Sequence, residues 1–195
     1  MPIYEVHHSY PLKGEQKAEL AKKITKLHST TFKTPSFFVH VLFHHSDASA
    51  QNYYLAGKVR TTSCNRIIAQ VRTSSSRSKS DFDTLAEKIE LAWLDVVKGE
   101  IGDDKQNQAT FGKRKGEIDE TEDHAEAARL LMVSFYPMIT AREAGMVIPE
   151  AGKEGEFFKE YRPYMKKMSE EKGLEDFKEM LRELDEREDL KGLSS

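Results

Sequence analysis

The sequence contains, at residues 37–43, the nearly uninterrupted apolar run Phe37-Phe38-Val39-His40-Val41-Leu42-Phe43. Such a run is typical of a strand that is covered on both faces, as in a parallel β-α-β unit. Residues 3–9 also predict a strand, and residues 11–14 predict the turn that leads into a helix. The residues at helical spacing after this turn are Leu20, Ala21, Ile24, Leu27, His28 and Thr31. Residues 3–43 therefore predict a strand, a helix and a strand, in that order.

The same pattern then occurs a second time. Residues 67–71 predict a third strand, and residues 130–136 predict a fourth, which Pro137 stops. The helix between them carries on one face Phe82, Leu85, Ala86, Ile89, Ala92, Trp93 and Val96. Ser80, with Asp83 three residues later, predicts the N-cap of this helix, and Gly99 predicts its end. The sequence thus predicts an α/β fold of two consecutive β-α-β units, which form a four-stranded sheet with both helices on one face.

Two segments lie outside the two units. Residues 99–129 are rich in Gly, Gln and charged residues, and they predict an inserted loop. Apolar residues between 174 and 184 predict a C-terminal amphipathic helix, which must pack on the body or on another subunit. We therefore expect a domain over residues 2–165, with its insertion at about 99–129, and a helical extension over residues 166–195.

The composition limits the partners of the chain. Its 195 residues include 30 Lys and Arg against 33 Asp and Glu, which gives a net charge of −3. This balance offers no general attraction to nucleic acid or to an anionic membrane, so we expect neither as a partner. Cys64 is the only cysteine, which excludes an internal disulfide, and no apolar run reaches membrane-spanning length. With no secretory pattern at residue 1, we expect a cytoplasmic protein.

The first two residues, Met1 and Pro2, suggest a chemical group. Removal of Met1 would leave Pro2 with a secondary amine at the beginning of a strand. An α-amino group titrates nearer to neutral pH than a lysine does, and the rigid proline ring holds it in place for proton transfer. The alternative is an ordinary chain end, since most termini have no chemical role.

The seven histidines raise the question of a metal site. Neighbouring residues of a strand face opposite sides, so neither His7-His8 nor His44-His45 can hold one ion as a pair. His40 and His44 would share a face but lie about 13 Å apart along a strand. We therefore expect no metal site.

Five residues are arranged as in a known family of enzymes. Pro2 opens a strand, His28 lies late in the first helix, Arg72 and Arg77 follow the third strand, and Glu143 follows the fourth. With these residues the sequence resembles the tautomerase superfamily, and within it the cis-3-chloroacrylic acid dehalogenase group. The stretches that carry the resemblance are residues 2–4, residues 21–28 and residues 143–158, the last ending in Glu154-Gly155-Glu156-Phe157-Phe158.

The resemblance implies a fold and an assembly. It extends over residues 2–98 and 130–165, so the insertion and the C-terminal helix lie outside it. Members of this family form trimers in which the sheets face a central space. A sheet face that the chain itself leaves uncovered also favours association, so we expect a homo-oligomer, and by resemblance a trimer.

The resemblance also implies an activity that needs no cofactor. Arg72 and Arg77 would bind the carboxylate of a small unsaturated or 2-oxo acid, to which the planar guanidinium is well suited. His28 and Glu143 would activate a water molecule, and a cationic Pro2 would donate a proton, as in hydration and dehalogenation of cis-3-chloroacrylate. One alternative is a keto-enol tautomerase with Pro2 as the base. Another is a non-catalytic interaction protein on the same scaffold.

One position departs from the family pattern. A tyrosine of the family in the last strand corresponds to Ser134 here. Tyr136 lies two residues later and therefore on the same face of the strand, so it is the candidate substitute.

Overall fold

The fold is organised around a four-stranded sheet, which we describe from a computed structural model of residues 1–47, 50, 52–61, 64–98 and 126–191. The strands of the sheet are β1 (Ile3–His8), β2 (His40–His45), β5 (Asn65–Val71) and β6 (Leu130–Pro137). Two hairpins add β3 (Tyr54–Leu55) with β4 (Lys58–Val59), and β7 (Arg142–Glu143) with β8 (Met146–Val147). The helices are α1 (Gly14–Phe32), α2 (Lys79–Lys98), α3 (Glu154–Glu170), α4 (Glu175–Glu186) and α5 (Glu188–Lys191).

The strand order in the sheet is β2-β1-β5-β6. β1 is parallel to β2 and β5 is parallel to β6, whereas β1 and β5 are antiparallel. The predicted pair of β-α-β units is therefore confirmed. Ile3 lies opposite both His40 and Gln70, and Gln70 lies opposite Tyr136. This register places the starts of β1 and β2 beside the ends of β5 and β6, at one end of the sheet.

One face of the sheet packs against α1 and α2. Tyr4 and Val6 of β1 and Ile67 and Ala69 of β5 are fully buried there. The helices cover them with Leu20, Ile24, Leu85, Ile89 and Trp93. Because residues two apart in a strand share a face, the alternating burial of β1 and β5 follows from the pleat.

Residues 127–129 contact the core that lies between the sheet and the helices α1 and α2. Trp93 Nε1 donates a hydrogen bond to the Ala128 carbonyl over 2.7 Å. Asn65 Nδ2 donates to the carbonyls of Ala127 and Arg129 over 2.7 and 3.0 Å. Residues 99–125, with most of the predicted insertion and Gly99 as the predicted helix end, lie outside the described residues.

The other face of the sheet carries exposed apolar side chains. Leu42, Met132 and Tyr136 are 45%, 42% and 51% exposed. We call this the open face of the sheet. Within the described part of the chain, it is not covered by either long helix of the β-α-β units.

The predicted strand at residues 37–43 begins later than expected. Residues 36–38 form a 3₁₀ turn, and the strand begins only at His40. The physical reason is that Phe38 packs in a second core, where it contacts the rings of Phe157 and Phe158. β2 is an edge strand of the described sheet, with half-buried and exposed residues in alternation, so this chain covers only one of its faces.

The predicted cap of α2 is wrong by two residues. The reciprocal cap is made by Ser78, whose backbone N–H donates to Asp81 Oδ2, while Asp81 N–H donates to Ser78 Oγ. Ser80 lies inside the helix, and Asp83 pairs instead with Lys79 one turn before it. Both pairs have the same spacing, so the pattern could not distinguish them.

The second core settles what the C-terminal amphipathic helix packs on. Phe177, Met180 and Leu184 of α4 are buried against the 3₁₀ turn, the β7-β8 hairpin and α3. Its partner is therefore the body of the same chain. The core also contains Phe38, Met146, Ile148, Phe157, Phe158, Met165 and Leu190.

None of the helices in the described ranges is both long enough and apolar enough to span a membrane. Even α2, with 20 residues, carries charged side chains along its exposed face.

Candidate active site

The chain terminus lies at the end of the sheet where β1 and β2 begin. Pro2 is buried, and its carbonyl accepts a hydrogen bond from the His40 backbone N–H over 3.1 Å. Met1 lines a small cavity together with Arg72, Glu154 and Phe157. The terminal amine is thus held inside the protein.

The surroundings of this amine alter its protonation. Burial, followed by the positive charge of Arg72, lowers the pKa of the Met1 amine from 8.0 to about 5. Glu143 and Glu154 raise this pKa, and Arg77 lowers it further. An amine at this position is therefore mainly uncharged at neutral pH.

Arg72 and Arg77 converge on one carboxylate oxygen. Arg72 Nη2 and Arg77 Nη2 donate to Glu154 Oε1 over 3.0 and 2.9 Å. Arg72 Nη1 also donates to the Pro149 carbonyl, and Arg77 Nη1 donates to the Arg72 carbonyl. The two guanidinium groups are therefore fixed relative to each other, with side chains only 11% and 6% exposed.

Glu154 was not assigned a role from the sequence, although it belongs to the stretch that carries the family resemblance. It is the first residue of α3 and only 7% exposed. Its second oxygen, Oε2, accepts a hydrogen bond from the Gly152 backbone N–H over 2.7 Å. No local pattern distinguishes it from Glu156 two residues later, because the contact partners lie about 80 residues away in the sequence.

His28 points towards the sheet, as its position in the helix predicts, and it is fully buried. Its Nδ1 lies 2.8 Å from the hydroxyl of Tyr4, which is also fully buried. Burial, and then the positive charges of Arg77, the terminus and Arg72, lower the pKa of His28 well below its ordinary value. The imidazole is therefore neutral.

Glu143 is paired with His40 and not with His28. His40 Nε2 lies 2.6 Å from Glu143 Oε1. The Glu143 side chain is only 10% exposed, and its Oε2 is buried without a hydrogen-bond partner among the described residues. The sequence indicates His40 only as a possible metal ligand and does not reveal this pair, because the two residues are 103 positions apart.

The β7-β8 hairpin fixes the position of Glu143. Its turn uses Ala144 and Gly145, with φ of 49° and 85°. Tyr164 of α3 donates a hydrogen bond to the Ala144 carbonyl over 2.9 Å. The turn therefore lies directly on α3, next to the carboxylate that it carries.

His40 also borders a wider acidic cleft. The side of this cleft opposite β2 is formed by Asp176, Glu179 and Glu183 of α4. His40 is 43% exposed, whereas Glu143 behind it is nearly buried. The pair thus joins a buried carboxylate to a solvent-accessible imidazole.

Tyr136 and Ser134 occupy the open face of the sheet. Tyr136 is half exposed, and Ser134 Oγ is buried with no hydrogen-bond partner in the described ranges. Phe135, between them, faces the helices and contacts Tyr4. The hydrogen bond to Glu143 is made by His40, and none of the described contacts joins Tyr136 to that carboxylate.

The histidines of β1 and β2 behave only partly as the sequence indicates. Adjacent histidines do face opposite sides, since His7 stacks on His44 while His8 contacts His45. Histidines also pair across the two strands, however, which the order of residues along one strand does not predict. Glu5, His7 and His44 place their possible ligand atoms within 4.8 Å of one another.

Comparison with known proteins gives a family and a fold. The sequence model of the family described as "Putative oxalocrotonate tautomerase enzyme" matches residues 1–162. No curated protein sequence gives a significant match. The crystal structure of N1, a member of the cis-3-chloroacrylic acid dehalogenase family, is 22% identical, with a TM-score of 0.51 over 80% of this chain and 90% of that one. At this identity the likeness establishes the fold.

Two further structures are similar at lower scores. F6, a fused 4-OT protein described as an asymmetric trimer, is 16% identical, with a TM-score of 0.49 over 74% of this chain and 94% of that one. MIF2 of Leishmania major is 12% identical, with a TM-score of 0.48 over 76% of this chain and 97% of that one.

Proposed function

The chain belongs to this tautomerase family, and on that premise we propose that it is a cofactor-independent enzyme in which Pro2, freed by removal of Met1, transfers protons as a base. The substrate class is a small 2-oxo or enol carboxylate, and the reaction is keto-enol tautomerisation. The observation that carries this proposal is the burial of the chain terminus in a cavity beside Arg72, which itself converges with Arg77 on Glu154; this environment lowers the pKa of the Met1 amine.

The environment of the terminal amine is the reason for proposing that Pro2 acts as a base and not as an acid. Burial and two guanidinium groups disfavour a cationic amine, and the two carboxylates offset this only in part. A neutral Pro2 nitrogen would accept the proton of an enol hydroxyl and return it to carbon. Arg72 and Arg77 would bind the substrate carboxylate through the N–H groups that their contacts with protein oxygens leave over.

The experiment measures ketonisation of phenylenolpyruvate in a preparation whose intact mass shows that Met1 is absent. We expect the wild type to be active, and we expect Pro2→Ala to lower kcat strongly while the far-UV circular dichroism is unchanged, because the alanine amine lacks the rigid ring that holds the nitrogen in place. A wild-type kcat in Pro2→Ala would refute the proposal. Retention of Met1 would favour the non-catalytic interaction protein instead.

The proposed binding of the substrate carboxylate by Arg72 and Arg77 can be tested in the same assay. Arg72→Ala and Arg77→Ala should raise KM more than they lower kcat, because the guanidinium groups bind the carboxylate and do not transfer the proton. An unchanged KM in both variants would remove the arginines from the proposed site.

Hydration and dehalogenation of a cis-3-chloroacrylate-type substrate is the second candidate, and the pair of Glu143 and His40 favours it. A buried carboxylate with one oxygen free and the other held by an imidazole is suited to remove a proton from water. In this version the hydrogen-bonding partner of Glu143 is His40, and not His28 as the sequence predicts. His28, paired with Tyr4, would orient the substrate or the water as a neutral hydrogen-bonding group.

A substitution of His40 distinguishes the two candidate activities, tautomerisation and hydration. If water is activated, His40→Gln should lower hydration by about 10²-fold and leave ketonisation within about threefold. His45→Gln, on the opposite face of the same strand, is the matched control and should change neither. Ketonisation without any hydration in the wild-type enzyme would leave only the tautomerase.

A further inference from the structure

Three side chains from neighbouring strands meet on the open face of the sheet. His7 of β1 lies directly opposite His44 of β2 in the parallel register. Glu5 precedes His7 by two residues and therefore faces the same side of the sheet. The pleat and the register together bring one carboxylate and two imidazoles to the same place.

The distances are close to those of a metal site. Glu5 Oε2 lies 3.2 Å from His7 Nε2 and 3.8 Å from His44 Nε2. All three possible ligand atoms lie within 4.8 Å of one another. Ligand atoms about 2.1 Å from a tetrahedral ion are separated by about 3.4 Å. The rings of His7 and His44 are now stacked, so at least one imidazole must turn on its side-chain torsions to bring the ion into its ring plane.

The donor set is also chemically suitable. Two neutral imidazoles and a carboxylate bind zinc and related divalent ions and leave a position for water. The charge of Arg66 opposes a cation nearby, and the carboxylate of Glu5 offsets it.

We propose that Glu5, His7 and His44 form a binding site for one divalent transition-metal ion of the zinc class. The ion joins β2 to β1, which is its neighbour at the edge of the sheet formed by the described residues. The site is separate from the proposed catalytic end, because His7 lies five residues along β1 from Pro2, roughly 17 Å at the rise of a strand. It stabilises the fold and takes no part in proton transfer.

The test uses the full chain without a histidine tag, stripped of metal by a chelator. Titration with Zn²⁺ against a chromophoric chelator should show one tight site per chain, and saturation should raise the thermal midpoint. His44→Ala and His7→Ala should weaken this binding by about 100-fold or more, since each removes a ligand. His45→Ala is the matched control, because its side chain leaves the opposite face of β2, and it should bind as the wild type does.

Three results would overturn the proposal. These are the absence of a tight site in the wild type, binding that His44→Ala does not weaken, or binding that His45→Ala weakens equally. In each case Glu5, His7 and His44 are a hydrogen-bonded cluster only. The Pro2 assay is independent of this outcome, because chelation should leave ketonisation unchanged whether or not the metal site exists.

Discussion

At the scale of single residues, the protonation of the terminal amine decides which reaction the site can catalyse. Acid–base catalysis requires the group in the correct state at the working pH. A neutral Pro2 is a base, and a cationic Pro2 is an acid. The same position could serve either chemistry, and the balance of burial, arginines and carboxylates selects between them.

The pH profile follows from this balance. The pKa of the Met1 amine in the folded protein is lowered from 8.0 to about 5, and we expect the same burial and arginine charges to lower the pKa of the Pro2 amine once Met1 is removed, so protonation, and loss of the base, should occur only at acid pH. For ketonisation, kcat/KM should therefore stay level from pH 8 to pH 6.5 and decline on the acid side. A profile that instead declines as the pH rises through 7 to 9 would identify Pro2 as an acid.

Glu154 provides a second prediction at this scale. Glu154→Gln keeps the shape of the side chain but removes the charge that Arg72 and Arg77 share. Breaking a buried ion pair on one side costs about 3 kcal/mol, because the remaining charges are left uncompensated. Urea denaturation should show this loss, and Glu156→Gln, exposed on the same helix, should change stability by less than about 0.5 kcal/mol. Equal stability of the two variants would show that Glu154 does not hold the arginines.

At the scale of elements, the β7-β8 hairpin is the support of Glu143. A Cβ on Gly145 would lie 2.5 Å from Tyr164 Oη, and the residue has φ of 85°. Gly57, in the turn between β3 and β4, also has a positive φ, of 73°, but a Cβ there meets nothing within 4 Å. An alanine at Gly57 would therefore suffer backbone strain alone, whereas an alanine at Gly145 would suffer both backbone strain and a steric clash.

We predict that Gly145→Ala destabilises the protein by about 2–4 kcal/mol, against about 1 kcal/mol for Gly57→Ala. Tyr164→Phe removes the clashing oxygen, so Gly145→Ala should cost less in that background. Denaturation of the wild type, the two single variants and the double variant measures this coupling. If the cost of Gly145→Ala is the same in both backgrounds, the hairpin does not rest on Tyr164.

The order of the elements could be predicted from the sequence, but several contacts between them could not. Periodicity identified the strands and helices of both β-α-β units because the same residues that alternate also face the core. It misplaced Phe37 and Phe38, since an apolar residue in a turn and one in a strand look alike. It missed the pair of His40 and Glu143 because only the three-dimensional fold joins residues 103 positions apart.

At the scale of the whole molecule, the open face of the sheet calls for a partner. Leu42, Met132 and Tyr136 are exposed on it, and a second copy of the chain is the partner that the family resemblance implies. We propose a homotrimer in which this face lies at the subunit contacts.

Charged substitutions on the open face of the sheet should disrupt the proposed homotrimer. Leu42→Glu combined with Met132→Glu places charges on β2 and β6, the two edge strands, and should convert a species of three chains into the 22.3 kDa single chain in sedimentation velocity. Leu91→Glu, at a 59% exposed position of α2 on the other side of the sheet, is the control and should leave the assembly intact. An assembly that tolerates the double substitution must use a different surface.

The uncovered face was itself predictable, although for an incomplete reason. The sequence argument expected a strand at residues 37–43 that needed cover on both sides, whereas the exposed apolar residues come from β2 and β6 together. Sequence periodicity reports which side chains are apolar but not which neighbour covers them. That depends on strand order, which places β2 and β6 at the two edges.

The measurement that tests the central claim most directly is mass spectrometry of the protein after incubation with a small acetylenic 2-oxo carboxylate, which alkylates a nucleophilic amine. We predict an intact mass without Met1 and one adduct, which peptide mapping assigns to the nitrogen of Pro2. Arg72→Ala should slow its formation by weakening binding of the carboxylate. A chain that retains Met1, or an adduct on any residue other than Pro2, would contradict the account.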